Sequence, residues 1–195
     1  MRTAEIHRKT NETDIIVRMD LDGAGRHTVK TGIPFFDHML NHLAVHSLID
    51  LEVQATGDLE IDTHHTVEDC AIVLGQALDQ ALGNRAGVTR MGSAYVPMDD
   101  TLAFVSLDLS GRPYAVLKTL WNRPVVGGMD TSQIDHFIES FAFSSRTTLH
   151  AQILYGRDDH HGAEALFKAL GRALYAAATI DPRRAAGIPS TKGSL

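Results

Sequence analysis

The chain has 195 residues, 44% hydrophobic and 22% charged, enough to bury a sizeable core as one domain or two half-domains. A net charge of −6 argues against a nucleic-acid or polyanion surface binder, and no apolar run approaches the length of a membrane span. Cys70 is the only cysteine, which excludes an intrachain disulfide framework, and Met1–Glu5 lacks a signal pattern, so the expected location is the cytoplasm.

Val17–Gly23 alternates apolar and polar residues and ends in a glycine turn. That is the pattern of a hairpin strand, with Arg26–Thr31 as the strand that returns. A helical period follows Asp37-His38, placing Phe36, Met39, Leu40 and Leu43 on one face. Asp50–Ala55 reads as a short strand. A longer helix then carries a stripe of Val67, Ala71, Leu74, Leu78 and Leu82, with Cys70 as a small packed hydrophobe. The same order recurs in the second half. Val105–Gly111 and Tyr114–Leu120 repeat the two strands at an offset of 88 residues. By the next Asp-His pair the offset has grown to 98, and Asn122–Met129, with its Pro and Gly, reads as the inserted loop. Ile134, Phe137, Ile138 and Phe141 then share a helical face, Leu149–Leu154 reads as a strand, and Leu166, Leu170, Ala173 and Ala177 make the second long stripe. The expected architecture is α+β: two repeats, about 1–88 and 89–180, with sheets covered by helices on one face and related by a pseudo-twofold axis. The tail 181–195, rich in Pro and Gly, reads as irregular.

Six of the eleven histidines fall at matched positions in these halves. His64-His65-Thr66-Val67-Glu68 recurs 96 residues on as His160-His161-Gly162-Ala163-Glu164, and Asp37-His38 recurs 98 residues on as Asp135-His136. On a helix that begins near Thr63, His64 and Glu68 lie one turn apart on one face, and an imidazole with a carboxylate there can grip one ion. His65 and His161 are turned about 100° away and should point to a different ion. The simplest symmetric arrangement gives two sites, one of His64, Glu68, His38 and His161, the other of His160, Glu164, His136 and His65. Without sulfur, such sets suit Mn²⁺, Fe²⁺, Co²⁺ or Zn²⁺. The spacing is not His-Glu-x-x-His, which excludes the zinc-peptidase reading. Asp62 and Asp158 stand where helix caps belong. His42 and His46 lie on or near the face of His38, where the two readings are lining a substrate pocket or simply packing.

Five segments together resemble the imidazoleglycerol-phosphate dehydratase family: Thr31–Leu40, His64–Asp69, Ser106–Pro113, His160 through Glu164 to Lys168, and Ile188–Gly193. The similarity is collinear from about Arg8 to Leu195. It implies loss of water from imidazoleglycerol phosphate to give imidazole acetol phosphate, the sixth step of histidine biosynthesis. It also implies two Mn²⁺ ions per active site, helices between two sheets, and a 24-subunit shell with sites where subunits meet.

The carbon-bound proton to be removed has no adjacent carbonyl, so the substrate's own imidazole must serve as electron sink and a carboxylate must take the proton. The resemblance assigns that acid–base role to Glu12, beside the metal-holding Glu68 and Glu164. It assigns the phosphate to Arg90, Arg112, Lys168, Ser190 and Lys192, residue types that supply forked and point-charge donors. With His38, His42, His46, His64 and His160 these complete the expected substrate-contacting set. Two rivals follow from the same residues. A dinuclear hydrolase would need a carboxylate bridging two ions about 3.5–4 Å apart, and a metal-stapled oligomer would have no use for Glu12, Arg112 or Lys192.

Overall fold

Alternating burial along Ile15, Val17 and Met19 builds the strand that opens the first half, because every second side chain faces one covered side. The computed structural model describes residues 1–184, 187–193 and 195. The first half runs β1 (Thr3–Lys9), β2 (Thr13–Asp20), β3 (His27–Lys30), α1 (Pro34–Ser47), β4 (Asp50–Gly57) and α2 (His64–Leu82). The second runs β5 (Met91–Met98), β6 (Thr101–Asp108), β7 (Tyr114–Lys118), a ribbon of β8 (Val125–Val126) and β9 (Met129–Asp130), α3 (Thr131–Ser144), β10 (Thr148–Tyr155) and α4 (Asp159–Ala178). Two four-stranded sheets result, ordered β1-β2-β4-β3 and β5-β6-β10-β7. The helices lie between them. The α+β class is the expected one, and both large sheets are mostly antiparallel.

The strand after each glycine turn does not return along its predecessor. β3 pairs in parallel with β4, β7 with β10, and β4 and β10 lie between the strands expected to form hairpins. The reason is visible at the first turn. Asp50, the first residue of β4, accepts hydrogen bonds from the backbone N–H groups of Ala24 (2.8 Å) and Arg26 (2.9 Å), so the turn is satisfied by β4. Gly23 leaves the space, since a Cβ there would lie 2.5 Å from the Asp50 carboxyl carbon. The true hairpins are β1–β2 and β5–β6. Their outer strands, β1 and β5, were not expected, because an edge strand buries few side chains, one in each of these two, and so shows little contrast between its faces. The expected loop Asn122–Met129 contains β8 and turns at Gly127 and Gly128, both with positive φ, into β9. Part of the tail expectation falls on residues 185, 186 and 194, outside the described residues; the described remainder makes turns.

Helix packing crosses between the halves. α1 packs chiefly against α4, and α3 against α2. The expected stripes are the buried faces: Phe36, Met39, Leu40, Phe137, Phe141, Leu74, Leu78, Leu166 and Leu170 are essentially inaccessible. Phe137 stands edge-on to Phe36, with ring centroids 5.4 Å apart, and 5.2 Å from Phe167. Cys70 is fully buried, and burial drives its thiol pKa upward, which keeps it inert.

Two glycines set how closely the crossed helices approach. A Cβ on Gly75 of α2 would lie 2.7 Å from Ser144 Cβ and 2.8 Å from the Phe141 carbonyl oxygen of α3. One on Gly171 of α4 would lie 2.9 Å from the Leu43 carbonyl oxygen and 3.0 Å from His46 Cβ of α1. The two glycines are 96 residues apart, the same offset as the histidine motifs. Replacing glycine by alanine inside a helix ordinarily stabilises by about 0.5–1 kcal/mol. Gly75→Ala is expected to do the reverse and destabilise by about 1–3 kcal/mol through overpacking against backbone. The check is the urea midpoint at constant m-value; an unchanged or raised midpoint would show that the crossing does not need the missing Cβ.

Candidate active site

The crossed helices decide which histidines meet. His38 of α1 joins His160 and Glu164 of α4, and His136 of α3 joins His64 and Glu68 of α2; within each trio the donor atoms lie within 4.8 Å of one another. His38 and His160 present Nε2 to Glu164 Oε1 at 3.1 and 2.9 Å. Glu68 Oε2 lies 3.7 Å from His64 Nε2, and Glu68 Oε1 lies 3.4 Å from His136 Nε2. The grouping expected from symmetry is therefore exchanged in this chain. His38 does not accompany His64 and Glu68, and His136 does not accompany His160 and Glu164. Each trio takes its helix pair from one half and its lone histidine from the other, because α1 lies on α4 and α3 on α2.

Local chemistry holds these side chains. Asp158 is the N-cap of α4 and accepts from the His160 backbone N–H at 2.8 Å, whereas the N-cap of α2 is Thr63 and Asp62, one residue earlier than a cap, accepts from the His64 backbone N–H at 2.7 Å. The aspartates before His38 and His136 are anchors. Asp37 accepts from Thr31 N (2.9 Å) and Oγ1 (2.6 Å). Asp135 accepts from Thr119 Oγ1 (2.8 Å) and Trp121 Nε1 (3.2 Å), and burial raises its pKa. Asp159 accepts from the backbone N–H groups of Asn122 (3.0 Å) and Arg123 (2.7 Å), pinning the inserted segment. That segment covers Phe35, whose ring tilts against His160 with centroids 5.3 Å apart.

The two trios differ in environment. Glu164 is 8% exposed and Glu68 35%. Burial alone would raise the Glu164 pKa, but hydrogen bonds from Lys168, His38 and His160 outweigh it and hold the carboxyl at about 2. Lys168 Nζ donates to Glu164 Oε2 at 2.6 Å. His42 Nε2 stands 3.2 Å from the same oxygen, and burial pushes His42 down to about 4. His46 stacks on His42 at 6.0 Å and is also lowered, by burial and then by Lys168 and Arg172. In the other trio, His136 Nε2 is buried and has no hydrogen-bond partner. An orphaned imidazole nitrogen beside a carboxylate fits a divalent cation, as does a donor set of nitrogen and oxygen alone.

His65 and His161 join neither trio. Their rings stand nearly perpendicular to those of His64 and His160, at 88° and 89°. His65 Nδ1 bonds Asp58 at 3.0 Å and His161 Nδ1 bonds Asp100 at 2.7 Å, and each bond raises its histidine's pKa. The bond from His161 and the Arg157 backbone N–H hold Asp100 at about 2. Sequence reasoning missed Asp58 and Asp100. Asp58 carries no repeat signal, and Asp100 lies in an ordinary strand turn. Glu12, at the β1–β2 turn, is exposed and stands 4.0 Å from His65 Nε2.

The expected phosphate set divides. Arg90 binds Asp108 through Nε (2.7 Å) and Nη2 (2.9 Å), and donates from Nη1 to the Pro189 carbonyl oxygen at 2.8 Å. Arg112 stands 4.0 Å from Asp108, and the Ser190 side chain accepts from the Lys192 backbone N–H at 3.2 Å. These four residues gather by the C-terminal end of α4, where Arg90 N–H bonds the Ala177 carbonyl. Lys168 instead lies at the middle of the helix, bonded to Glu164 one turn before it. At helical rise, the thirteen residues from Glu164 to Ala177 span about 20 Å.

Fold and site together define a duplicated α+β protein built around two candidate cation sites. The family model for imidazoleglycerol-phosphate dehydratase matches residues 31–174. The chain is 55% identical over 194 residues to the dehydratase of Zymomonas mobilis, covering 100% of this chain and 99% of that one. It is 54% identical over 195 residues to that of Rhodopseudomonas palustris, covering 100% and 99%. Crystal structures of the enzymes from Staphylococcus aureus and Pyrococcus furiosus superpose with TM-scores of 0.84 each. Their identities are 34% and 38%; the first covers 92% of this chain and 99% of its own, the second 97% and 100%. The chain belongs to the imidazoleglycerol-phosphate dehydratase family. It is a lyase of histidine biosynthesis that removes water from imidazoleglycerol phosphate, which sets the hydrolase and metal-store readings aside.

If each trio holds its own ion, Glu164→Ala should lower bound divalent metal from about two ions per chain to about one, read by elemental analysis after dialysis. Retention of both ions would show that the trios are not separate sites.

Proposed function

We propose that the chain is a Mn²⁺-dependent dehydratase that turns imidazoleglycerol phosphate into imidazole acetol phosphate with two ions per active site. In this reading His38, His160 and Glu164 hold one ion, and His64, His136 and Glu68 hold the other. His65 and His161 complete the ligand sets from neighbouring copies. The observation that carries the reading is the convergence of two nitrogen and carboxylate trios, one containing a buried imidazole nitrogen with no hydrogen-bond partner. When bound, the ions act as Lewis acids on the substrate's imidazole ring and fix its orientation.

The chain's own residues supply the rest. Glu12 takes the carbon-bound proton, and departure of the neighbouring hydroxyl leaves an enol that becomes the ketone on reprotonation. Its exposed place on the β1–β2 turn suits a base that must reach a substrate lying outside its own trios. Lys168 neutralises Glu164 and holds its second oxygen. His42 and His46 stay neutral and line the pocket beside His38. Arg90, Arg112, Ser190 and Lys192 receive the phosphate, Arg as a fork and Lys as a point charge.

A separation of about 20 Å along α4 between Glu164 and the arginine group supports sites shared between copies; the 24-subunit shell is what the family resemblance implies. The working unit is a single dehydratase domain of two repeats, about 1–88 and 89–180, with the tail 181–195 carrying Ser190 and Lys192. Among the described residues no helix is long and apolar enough to cross a membrane, and we place the enzyme in the cytoplasm.

Dehydratase activity should vanish on full chelation and return with added Mn²⁺; turnover that survives metal removal would overturn the reading. Glu12→Gln should keep metal content and particle mass while kcat falls about 10²–10⁴-fold. Normal turnover in that variant would remove Glu12 from its role.

A further inference from the structure

Two carboxylates outside the trios do the same job by different routes. Asp58 holds His65 Nδ1, and Asp100 holds His161 Nδ1, at 3.0 and 2.7 Å. A carboxylate accepts only, so both histidines carry a proton on Nδ1, and Nε2 is the nitrogen left to meet an ion. Each ring is turned away from its own trio, with Nε2 facing a more exposed carboxylate: Glu12 at 4.0 Å from His65, Asp99 at 3.7 Å from His161.

The repeat makes the difference between the halves informative. The offset of 88 residues that relates β2 to β6 carries Glu12 onto Asp100. In the second half that turn carboxylate is consumed, binding His161 and accepting from the Arg157 backbone N–H at 2.6 Å. In the first half the job belongs to Asp58, which follows β4. Its counterpart after β10, allowing for the irregularity between Ile153 and Tyr155, is Arg157. Asp58 therefore has no acidic equivalent in the second half, and Glu12 is left without a histidine Nδ1 to serve.

We propose that Asp58 and Asp100 are matched positioning residues that lock His65 and His161 with Nε2 presented outward for a cation, and that Asp58, by taking this task in the first half, frees Glu12 for acid–base work. The inference rests on the metal-dependent reading above. It explains why two pseudo-equivalent halves supply one base: the second half has spent the corresponding carboxylate on its histidine. The logic is that of a carboxylate behind a metal-bound imidazole, which fixes tautomer and ring and raises ligand basicity.

The test measures Mn²⁺ affinity by chelator competition on the assembled protein, with particle mass and far-UV circular dichroism as controls. Asp58→Ala and Asp100→Ala should each weaken Mn²⁺ binding about ten- to hundredfold. Asp58→Asn and Asp100→Asn, which keep an acceptor oxygen but lose the charge, should fall between those variants and the parent. In Asp58→Ala at saturating Mn²⁺, kcat should also drop with KM near the parent value, because Glu12 becomes the nearest carboxylate to His65. Alanine variants within twofold of the parent in affinity would overturn the positioning role. Should they fail to fold, asparagine variants indistinguishable from the parent would do the same. An unchanged kcat in Asp58→Ala would overturn the release of Glu12. A parent protein that binds no Mn²⁺ would instead refute the metal-dependent reading itself.

Discussion

The structure depends on one packing constraint: helices of opposite halves must cross closely enough to share their histidines. α1 lies on α4 and α3 on α2, with Gly171 and Gly75 at the contacts. Each trio exists only because a lone histidine on a shorter helix is carried over the His-x-x-x-Glu face of a longer one. Neither half could hold its trio alone, so the duplication is joined at the level of the site as well as of the core. The same constraint makes the stripes on both helix pairs nearly free of solvent, with Phe36, Phe137 and Phe167 filling the space between them.

Electrostatics then separates roles among similar residues. Glu164 is buried, tied to Lys168 and kept ionised; Glu68 is more open. His42 is deprotonated by burial, whereas His65 and His161 are drawn toward protonation by Asp58 and Asp100. Eight of the eleven histidines thus divide into inward donors, outward donors and pocket walls by what stands behind each ring. Arg90 follows the same principle, since its bidentate bond to Asp108 leaves Nη1 free to hold the tail at Pro189.

Much of this was legible in the sequence, for definite reasons. The four helices, among the described residues, announced themselves through apolar stripes, and the divergence of His65 from His64 followed from helical geometry alone. The exchange of His38 and His136 between trios was not legible. Local spacing fixes who shares a helix face, but interhelical pairing depends on long-range packing, and its one clue was a pair of glycines at the histidine offset. Strand order failed for a related reason: alternation reports that a strand has one buried face, and says nothing of its neighbour. Asp50 settled that at the first turn through hydrogen bonds between residues 24 and 26 positions apart. The division of the phosphate residues from Lys168 was likewise invisible, since it reflects positions well apart along α4, its middle and its C-terminal end.

The most direct test of the account is an anomalous-scattering map at the manganese edge from crystals of the Mn²⁺-loaded assembly. The account predicts two peaks per chain, one on His38, His160 and Glu164, the other on His64, His136 and Glu68, each completed by a His65 or His161 from a neighbouring copy. Peaks that pair His38 with Glu68, or His136 with Glu164, would contradict it, as would a map with no peak at either trio.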